Sequence, residues 1–446
     1  MSATAPAGKQ RYWQYGWVAV TLLALSLRWA YLSRMDVDNP MRGDAVQYVS
    51  YAWNLAHHGV FSKSTAGSID VVPDNFRDPG YPSLLAGVML FSDNFAPWYH
   101  AVLLLQGLLS ALTVALLMAA IRPWLGVKGS LAAGLLMVVW PHSVTMSGYL
   151  LSETATGFWV ASGLFLLQRA VSRNHLPAMV ACGLAFSIAA LTNAVMLPFA
   201  ALLAGVLFWR NNVGRTMALA LVVSSLLLPV AWGVRNAQLP TTAESSSGRA
   251  LQNAIEGSWP EYHSSYMASV FGDPDGRRIQ EAIRHETEVM MASRSAGIRL
   301  VSARIRAQPL SYLAWYASKP ALLWDWSIRM GAGNIYQYAT RHSLLDEQPL
   351  LKAIVAICWA LNPIIMVLAL AGVLLVWANG RDNAALPLAT AALAVYVTIV
   401  YSLLQAEPRY SIPFRGIEIA LAVEGVRQSA RWLSSRKDRS TPAQQA

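Results

Sequence analysis

Two carboxylates stand at positions in this chain that packing alone does not account for. Asp44 opens the polar stretch Arg42-Gly43-Asp44-Ala45-Val46-Gln47-Tyr48 just after the first long apolar run. Glu153, in Leu151-Ser152-Glu153-Thr154, lies near the head of a later run. A carboxylate beside an acceptor hydroxyl can take its proton or orient it for attack. Cations recur at the matching ends of other apolar runs. They are Arg28, Arg77 in Arg77-Asp78-Pro79-Gly80-Tyr81-Pro82, Arg235 before Asn236, Lys319 before Pro320, and Arg409 in Glu407-Pro408-Arg409-Tyr410. Arg and Lys hold phosphate through charge-assisted hydrogen bonds, so carboxylates and cations at one depth suit a phosphate on a lipid tail. Tyr48, Tyr81 and Tyr410 flank these positions and join the candidate substrate site.

Each residue also has a plainer reading. Asp is a favoured N-cap, and a helical pattern follows Asp44. Glu153 could simply sit at a helix start, stabilised by the dipole, although an ionisable group at membrane depth is costly and usually functional. Arg28 could snorkel to the surface or reach an anion in a cavity, and the other cations could anchor on headgroups. His57, His58, His100 and His142 lack metal-ligand spacing and read as interfacial polar residues. With no P-loop, Gly-x-Ser-x-Gly or Rossmann fingerprint, no cofactor is required. A divalent cation held by Asp44 and Glu153 is compatible with the sequence.

The elements that must position these groups are membrane helices. The chain is 55% hydrophobic and 13% charged, about half the charge of a soluble domain. Apolar runs near 12–33, 97–121, 127–141, 147–169, 176–191, 193–209, 215–235, 349–378, 384–404 and 410–428 predict an all-α polytopic membrane protein of about ten transmembrane helices. The first run is too long for a signal-peptide core and lacks a small-residue cleavage site, so it reads as an anchor. Cys182 and Cys358 fall inside runs, which leaves no disulfide framework.

Basic residues crowd one set of connections, including Lys9, Arg11, Arg122, Lys128, Arg169, Arg173, Arg210, Arg215 and Arg381. The positive-inside rule therefore places both termini in the cytoplasm and loops 34–96 and 236–348 outside. The net charge of +10 is this asymmetry, not a nucleic-acid footprint. The expected organisation is a cytoplasmic tail at 1–11, a membrane domain at 12–430 and a disordered cytoplasmic tail at 431–446. Within loop 34–96, residues 44–57 have the period of an interfacial amphipathic helix ended by Gly59, and 83–92 form a second short apolar stretch. Residues 62–78 between them read as mobile loop, with 62–75 as a lid. In loop 236–348, residues 277–308 are helical in period, and the aromatic stretch to Trp326 suits a helix on lipid headgroups.

The order of these motifs resembles the GT-C superfamily of integral-membrane glycosyltransferases, in the branch of protein mannosyltransferases and lipid A aminoarabinose transferases. It runs from the first-loop Asp44 with Tyr48, through the Arg77–Pro82 turn, Ser152-Glu153 and Arg235-Asn236, to Arg409-Tyr410-Ser411-Ile412-Pro413. The resemblance implies transfer of a hexosyl or pentosyl group from a polyprenyl-phosphate donor to a lipid, glycan or protein acceptor. The transfer would take place outside the cytoplasmic membrane, with inversion. It implies Asp44 as base or acceptor-orienting carboxylate, Glu153 as the second acidic position, and Arg77, Lys319 and Arg409 as phosphate-holding candidates. The chain departs from the pattern at Ala45, where many relatives have Glu, and at Asn193, where Arg is frequent. Asp78 likewise replaces Pro or Lys-Pro. Competing readings are a lipid-linked-sugar flippase, an O-antigen-ligase-like enzyme and a non-enzymatic assembly subunit.

Overall fold

A computed structural model describes residues 7–240, 245–378 and 385–440. Where water is absent, a helix satisfies every backbone group within its own segment, and the apolar runs all become helices. Helix α1 (Ala7–Leu32) is followed by a two-residue strand β1 (Asp36–Val37) and two short helices, α2 (Asp44–His58) and α3 (Gly80–Met89). α4 (Phe95–Val139) is continuous except at Gly126, which has φ 73° and ψ 179°. Its two legs pack on each other, with Ser130 Oγ donating to Met118 O at 2.9 Å. The spans expected at 97–121 and 127–141 are therefore the legs of one hairpin.

After α5 (Pro141–Thr145) come α6 (Glu153–Arg173), α7 (Leu176–Thr192), α8 (Phe199–Trp209) and α9 (Arg215–Asn236). The second large connection folds into α10 (Ser246–Ser258), α11 (Tyr262–Val270), α12 (Pro274–Ala292), α13 (Arg294–Ala307) and α14 (Pro309–Leu323). Strand β2 (Thr340–Arg341) and α15 (Leu344–Glu347) then lead to α16 (Pro349–Ala378), α17 (Ala385–Leu403), α18 (Pro408–Ser411) and α19 (Arg415–Ser440). Among the described residues, five helical segments are long and apolar enough to cross a membrane: Gln10–Leu32, Phe95–Val139, Arg215–Asn236, Pro349–Ala378 and Ala385–Leu403. α19 continues to Ser440, past the tail boundary drawn at 431, and residues 441–446 lie outside the described residues.

One apolar core runs through the bundle, built on α1 against α4, α4 against α6, α6 against α7, α7 against α9, and α16 against α19. A second, small core of Ile255, Tyr262, Ile283 and Met290 holds α10, α11 and α12 together. Each such apolar side chain contributes about 1.5–3 kcal/mol on burial, so the helices of this second large connection have packing of their own. The two large connections are also stitched to each other. β1 pairs antiparallel with β2, Asp36 opposite Arg341; Arg341 Nε lies 2.9 Å from Asp38 Oδ1, and Tyr338 OH donates to Arg42 O at 3.0 Å. Residue 338 thus helps to seat the turn that leads into Asp44. At the end of the aromatic stretch Trp324 Nε1 donates to Thr398 Oγ1 at 2.9 Å and Trp326 is buried, whereas Leu310 and Leu313 of α14 are exposed.

Candidate active site

Asp44 occupies the first residue of α2, and its side chain does not cap that helix. The capping position is Gly43, whose φ of 57° and ψ of −128° suit glycine. The carboxylate is instead gripped by two guanidinium groups. Arg77 Nη2 donates to Oδ1 at 2.6 Å, and Arg409 Nη2 donates to Oδ2 at 2.7 Å. Arg409 Nε donates in turn to Glu153 Oε1, so one guanidinium joins both acidic positions. Asp44 leaves 30% of its side chain exposed, whereas Glu153 leaves 6%. Asp44 is therefore the more accessible of the two carboxylates.

Local structure explains why Arg77 arrives there. Asp74, buried, accepts Lys63 N at 2.7 Å on Oδ2 and Phe76 N at 3.0 Å on Oδ1, and it also accepts Tyr51 OH. Arg235 Nη1 donates to Asp74 O at 2.7 Å and Nη2 to Phe61 O at 3.2 Å. The two ends of the segment read as a lid, 61–64 and 72–76, are thus knotted together, while residues 65–67, 69 and 70 at its tip are exposed. Arg77 leaves this knot stacked over Tyr48 and Phe76, with Nε donating to Gln47 Oε1 at 2.6 Å. Asp78, next in sequence, accepts Ala194 N at 3.2 Å and Arg249 Nη2 at 2.8 Å, which fixes the turn into α3.

The tyrosines complete the walls. Tyr48 and Tyr81 meet edge to face at 5.1 Å, and the Tyr48 hydroxyl lies 3.4 Å from Ser152 Oγ. Tyr81 OH donates to Gln106 Oε1 at 3.0 Å, and Gln106 Nε2 holds Ser147 O and Tyr149 O. That relay orients the turn before Glu153. Tyr410 stacks on Tyr401 at 5.1 Å, and Asn193 Nδ2 donates to Tyr401 OH at 3.0 Å.

Burial works to raise the Asp44 pKa, but the attraction of Arg409 and then Arg77, with their hydrogen bonds, outweighs it and holds the group well below the usual carboxylate range. Asp44 is ionised and, in this state, a weak base. Glu153 Oε2 is buried without a hydrogen-bond partner among the described residues. Glu153 and Arg28 both line a cavity of about 50 Å³, room for a few waters.

The other expected cations serve elsewhere. Arg28 is buried and donates to Ser110 Oγ at 2.7 Å, Val138 O at 3.1 Å and Met137 O at 3.3 Å, so it neither snorkels nor faces Asp44. Lys319 is buried and spends its ammonium on Gly257 O and Leu404 O, and Arg235 ties down the 61–74 knot. His142 is buried too, donating Nε2 to Trp326 O at 2.7 Å instead of lying at an interface. Arg409 stands between Asp44 and Glu153, and both Asp44 oxygens accept N–H groups, so a divalent cation bridging the two carboxylates would take the place of that guanidinium. No cluster of three or more His, Cys, Asp or Glu that could hold a metal occurs among the described residues. Gln47, one turn after Asp44, was findable from its spacing, whereas Tyr338, Gln106 and Tyr401 carried no local signal.

No protein-family model and no curated protein matches the sequence. Solved structures do. A crystal structure of the Archaeoglobus fulgidus oligosaccharyltransferase tethered with an acceptor peptide has a TM-score of 0.54 at 10% identity, covering 97% of this chain and 51% of that one. The same enzyme in complex with Zn and sulfate has a TM-score of 0.51 at 12% identity, covering 94% and 50%. ArnT from Cupriavidus metallidurans bound to undecaprenyl phosphate overlays more loosely, with a TM-score of 0.36 at 15% identity, covering 96% and 79%. The chain spans about half the length of the oligosaccharyltransferase it matches. The chain shares the overall fold of that oligosaccharyltransferase.

Proposed function

We propose that this protein is an inverting glycosyltransferase that moves a hexosyl or pentosyl group from a polyprenyl-phosphate donor to a lipid, glycan or protein acceptor. The observation that carries the reading is Asp44, partly exposed and held between Arg77 and Arg409, with Glu153 behind Arg409. On this reading about ten helical passes cross the cytoplasmic membrane, counting the α4 hairpin as two. Both termini face the cytoplasm and the Asp44 cluster faces outward.

The chemistry follows from the charge balance. In the cluster two guanidinium groups neutralise two carboxylates. A donor phosphate competes for Arg77 and Arg409 and draws N–H groups away from Asp44. That loss raises the basicity of Asp44 at the moment the donor is seated. The acceptor oxygen then attacks the anomeric carbon, and the bond from that carbon to the phosphate oxygen breaks. The acceptor proton passes to Asp44, and the arginines stabilise the departing polyprenyl phosphate. Glu153, shielded and bonded to Arg409, keeps that guanidinium oriented.

The test is sugar transfer in lipid nanodiscs from a set of polyprenyl-phosphate sugars to an envelope-lipid and glycan extract, with wild type and Asp44→Asn. Transfer by wild type that the substitution abolishes, with the lipid phosphate still bound, supports the reading. Full activity in Asp44→Asn overturns the role given to Asp44. An absence of transfer from every donor overturns the enzyme assignment and turns attention to flipping.

A further inference from the structure

Arg409 reaches Asp44 and Glu153 from a short segment, 404–411, between α17 and α19. That segment is held chiefly by the helices of the second large connection. Lys319 on α14 bridges Gly257 O at 2.8 Å and Leu404 O at 2.7 Å, and Trp315 Nε1 also donates to Gly257 O at 3.0 Å. At Gly257 the backbones of α10 and residue 404 touch, and a methyl group there would collide with Leu404 O. Further on, Gln405 lies against Met330 and accepts Tyr410 OH at 3.2 Å.

Glu407 is buried in the middle of this joint. Its Oε1 accepts Arg329 N at 3.0 Å. Its Oε2 faces His263 Nε2 of α11 at 3.6 Å, and neither atom has a hydrogen-bond partner among the described residues. Two buried polar atoms face each other just beyond bonding distance, and leaving both unmade is costly. The charged and titratable groups around them are Arg329, Lys319 on α14, Tyr262 beside His263, and Arg409 and Tyr410 on the segment itself.

We infer that Glu407 and His263 form a positioning pair, through which the helices of the second large connection set the seat of Arg409 and hence its grip on Asp44 and Glu153. The inference rests on the glycosyltransferase reading for its consequence in turnover, but not for the joint itself. Neither residue touches substrate. When Glu407 is protonated it donates to neutral His263, and α11 is latched to the segment. When Glu407 loses its proton, a third carboxylate appears two residues from Arg409 and competes for the guanidinium that Asp44 and Glu153 share. Burial pushes Glu407 up to about 7, and burial with Arg329 and Lys319 pulls His263 down to about 4. Below neutral pH the pair therefore shares the proton of Glu407; as pH rises through about 7 neutral His263 donates Nε2–H to the carboxylate instead, and what changes is the negative charge two residues from Arg409.

Two readouts test it on the full-length protein in nanodiscs between pH 6 and 8.5. One is hydrogen exchange of the 404–411 amides, corrected for intrinsic rates, and the other is the pH profile of kcat for sugar transfer. In wild type, protection and kcat are expected to fall together, about tenfold for each pH unit above 7 while the ionised form dominates, with KM little changed. Glu407→Gln, which stays neutral, is expected to hold both flat. His263→Gln provides the second variant and is expected to lose protection at 404–411 already at pH 6. If Glu407→Gln keeps the wild-type pH dependence of exchange, or His263→Gln leaves exchange at 404–411 unchanged, the pair does not position the segment. If exchange behaves as expected while wild type transfers no sugar from any donor, the joint stands and the glycosyltransferase reading fails.

Discussion

Arg409 donates Nη2 to Asp44 Oδ2 at 2.7 Å across 365 residues of sequence, while its Nε is bound to Glu153. One planar fork thus ties the first large connection to the head of α6. Lysine donates from a single nitrogen and lacks the planar fork whose separate Nε and Nη2 meet the two carboxylates at once. Arg409→Lys is therefore expected to reach the membrane folded but to lose at least about 100-fold in kcat/KM. Steady-state transfer alongside a thermal melt checks this, and turnover within a few-fold of wild type would show that the fork is not required.

Asp44→Asn separates binding from chemistry. The amide keeps the shape but removes the charge that occupies Arg77 and Arg409. Binding of a polyprenyl phosphate, read by tryptophan quenching, is expected to hold or tighten. Transfer is expected to fall by roughly 10²–10⁴-fold, the range for loss of a positioned base. Weaker phosphate binding in this variant would mean that the carboxylate organises the arginines for the donor instead of competing with it.

Arg28 distinguishes a structural cation from a substrate-holding one. Its guanidinium satisfies Val138 O and Met137 O at the end of the α4 hairpin. Arg28→Leu is expected to lower stability by about 1–3 kcal/mol for each group left unmet, seen as a lower melting midpoint. The surviving folded fraction should keep its donor KM. A raised KM at unchanged stability would return Arg28 to the phosphate site.

Glu407 gives stability a pH dependence of definite sign. With a folded pKa of about 7 against an ordinary value of 4.5, the folded state binds more protons than the unfolded state between those values. Its contribution is complete below about pH 4.5 and is lost as pH rises through 7, about 3 kcal/mol across the window. His263, pulled down to about 4 from 6.5, acts in the opposite direction, losing its contribution as pH falls from 6.5 to 4. Glu407→Gln should leave only the second trend, so the wild-type-minus-variant melting difference should shrink steadily from pH 5 to 7.5. A constant difference would place the Glu407 pKa outside that window.

The apolar runs and the first-loop helix at 44–58 were readable from the sequence because burial in lipid imposes a local rule, helix length and apolar content, on each segment separately. Asp44, Glu153, Arg77 and Arg409 were readable as charges at helix ends. The residue string alone could not choose among the cations. Arg77 and Arg409 meet at Asp44, whereas Arg28, Arg235 and Lys319 satisfy backbone carbonyls. That choice depends on which distant carbonyl or carboxylate each long side chain can reach. The same limit hid Tyr338, the Asp74 knot in a segment whose composition read as mobile, and the Glu407–His263 pair. The sequence by itself determined where the helices are and that charge gathers at their ends, because those properties are local. Only the tertiary structure decided which charges meet, because an ion pair between residues hundreds of positions apart exists only once the packing of the helices brings the two ends together.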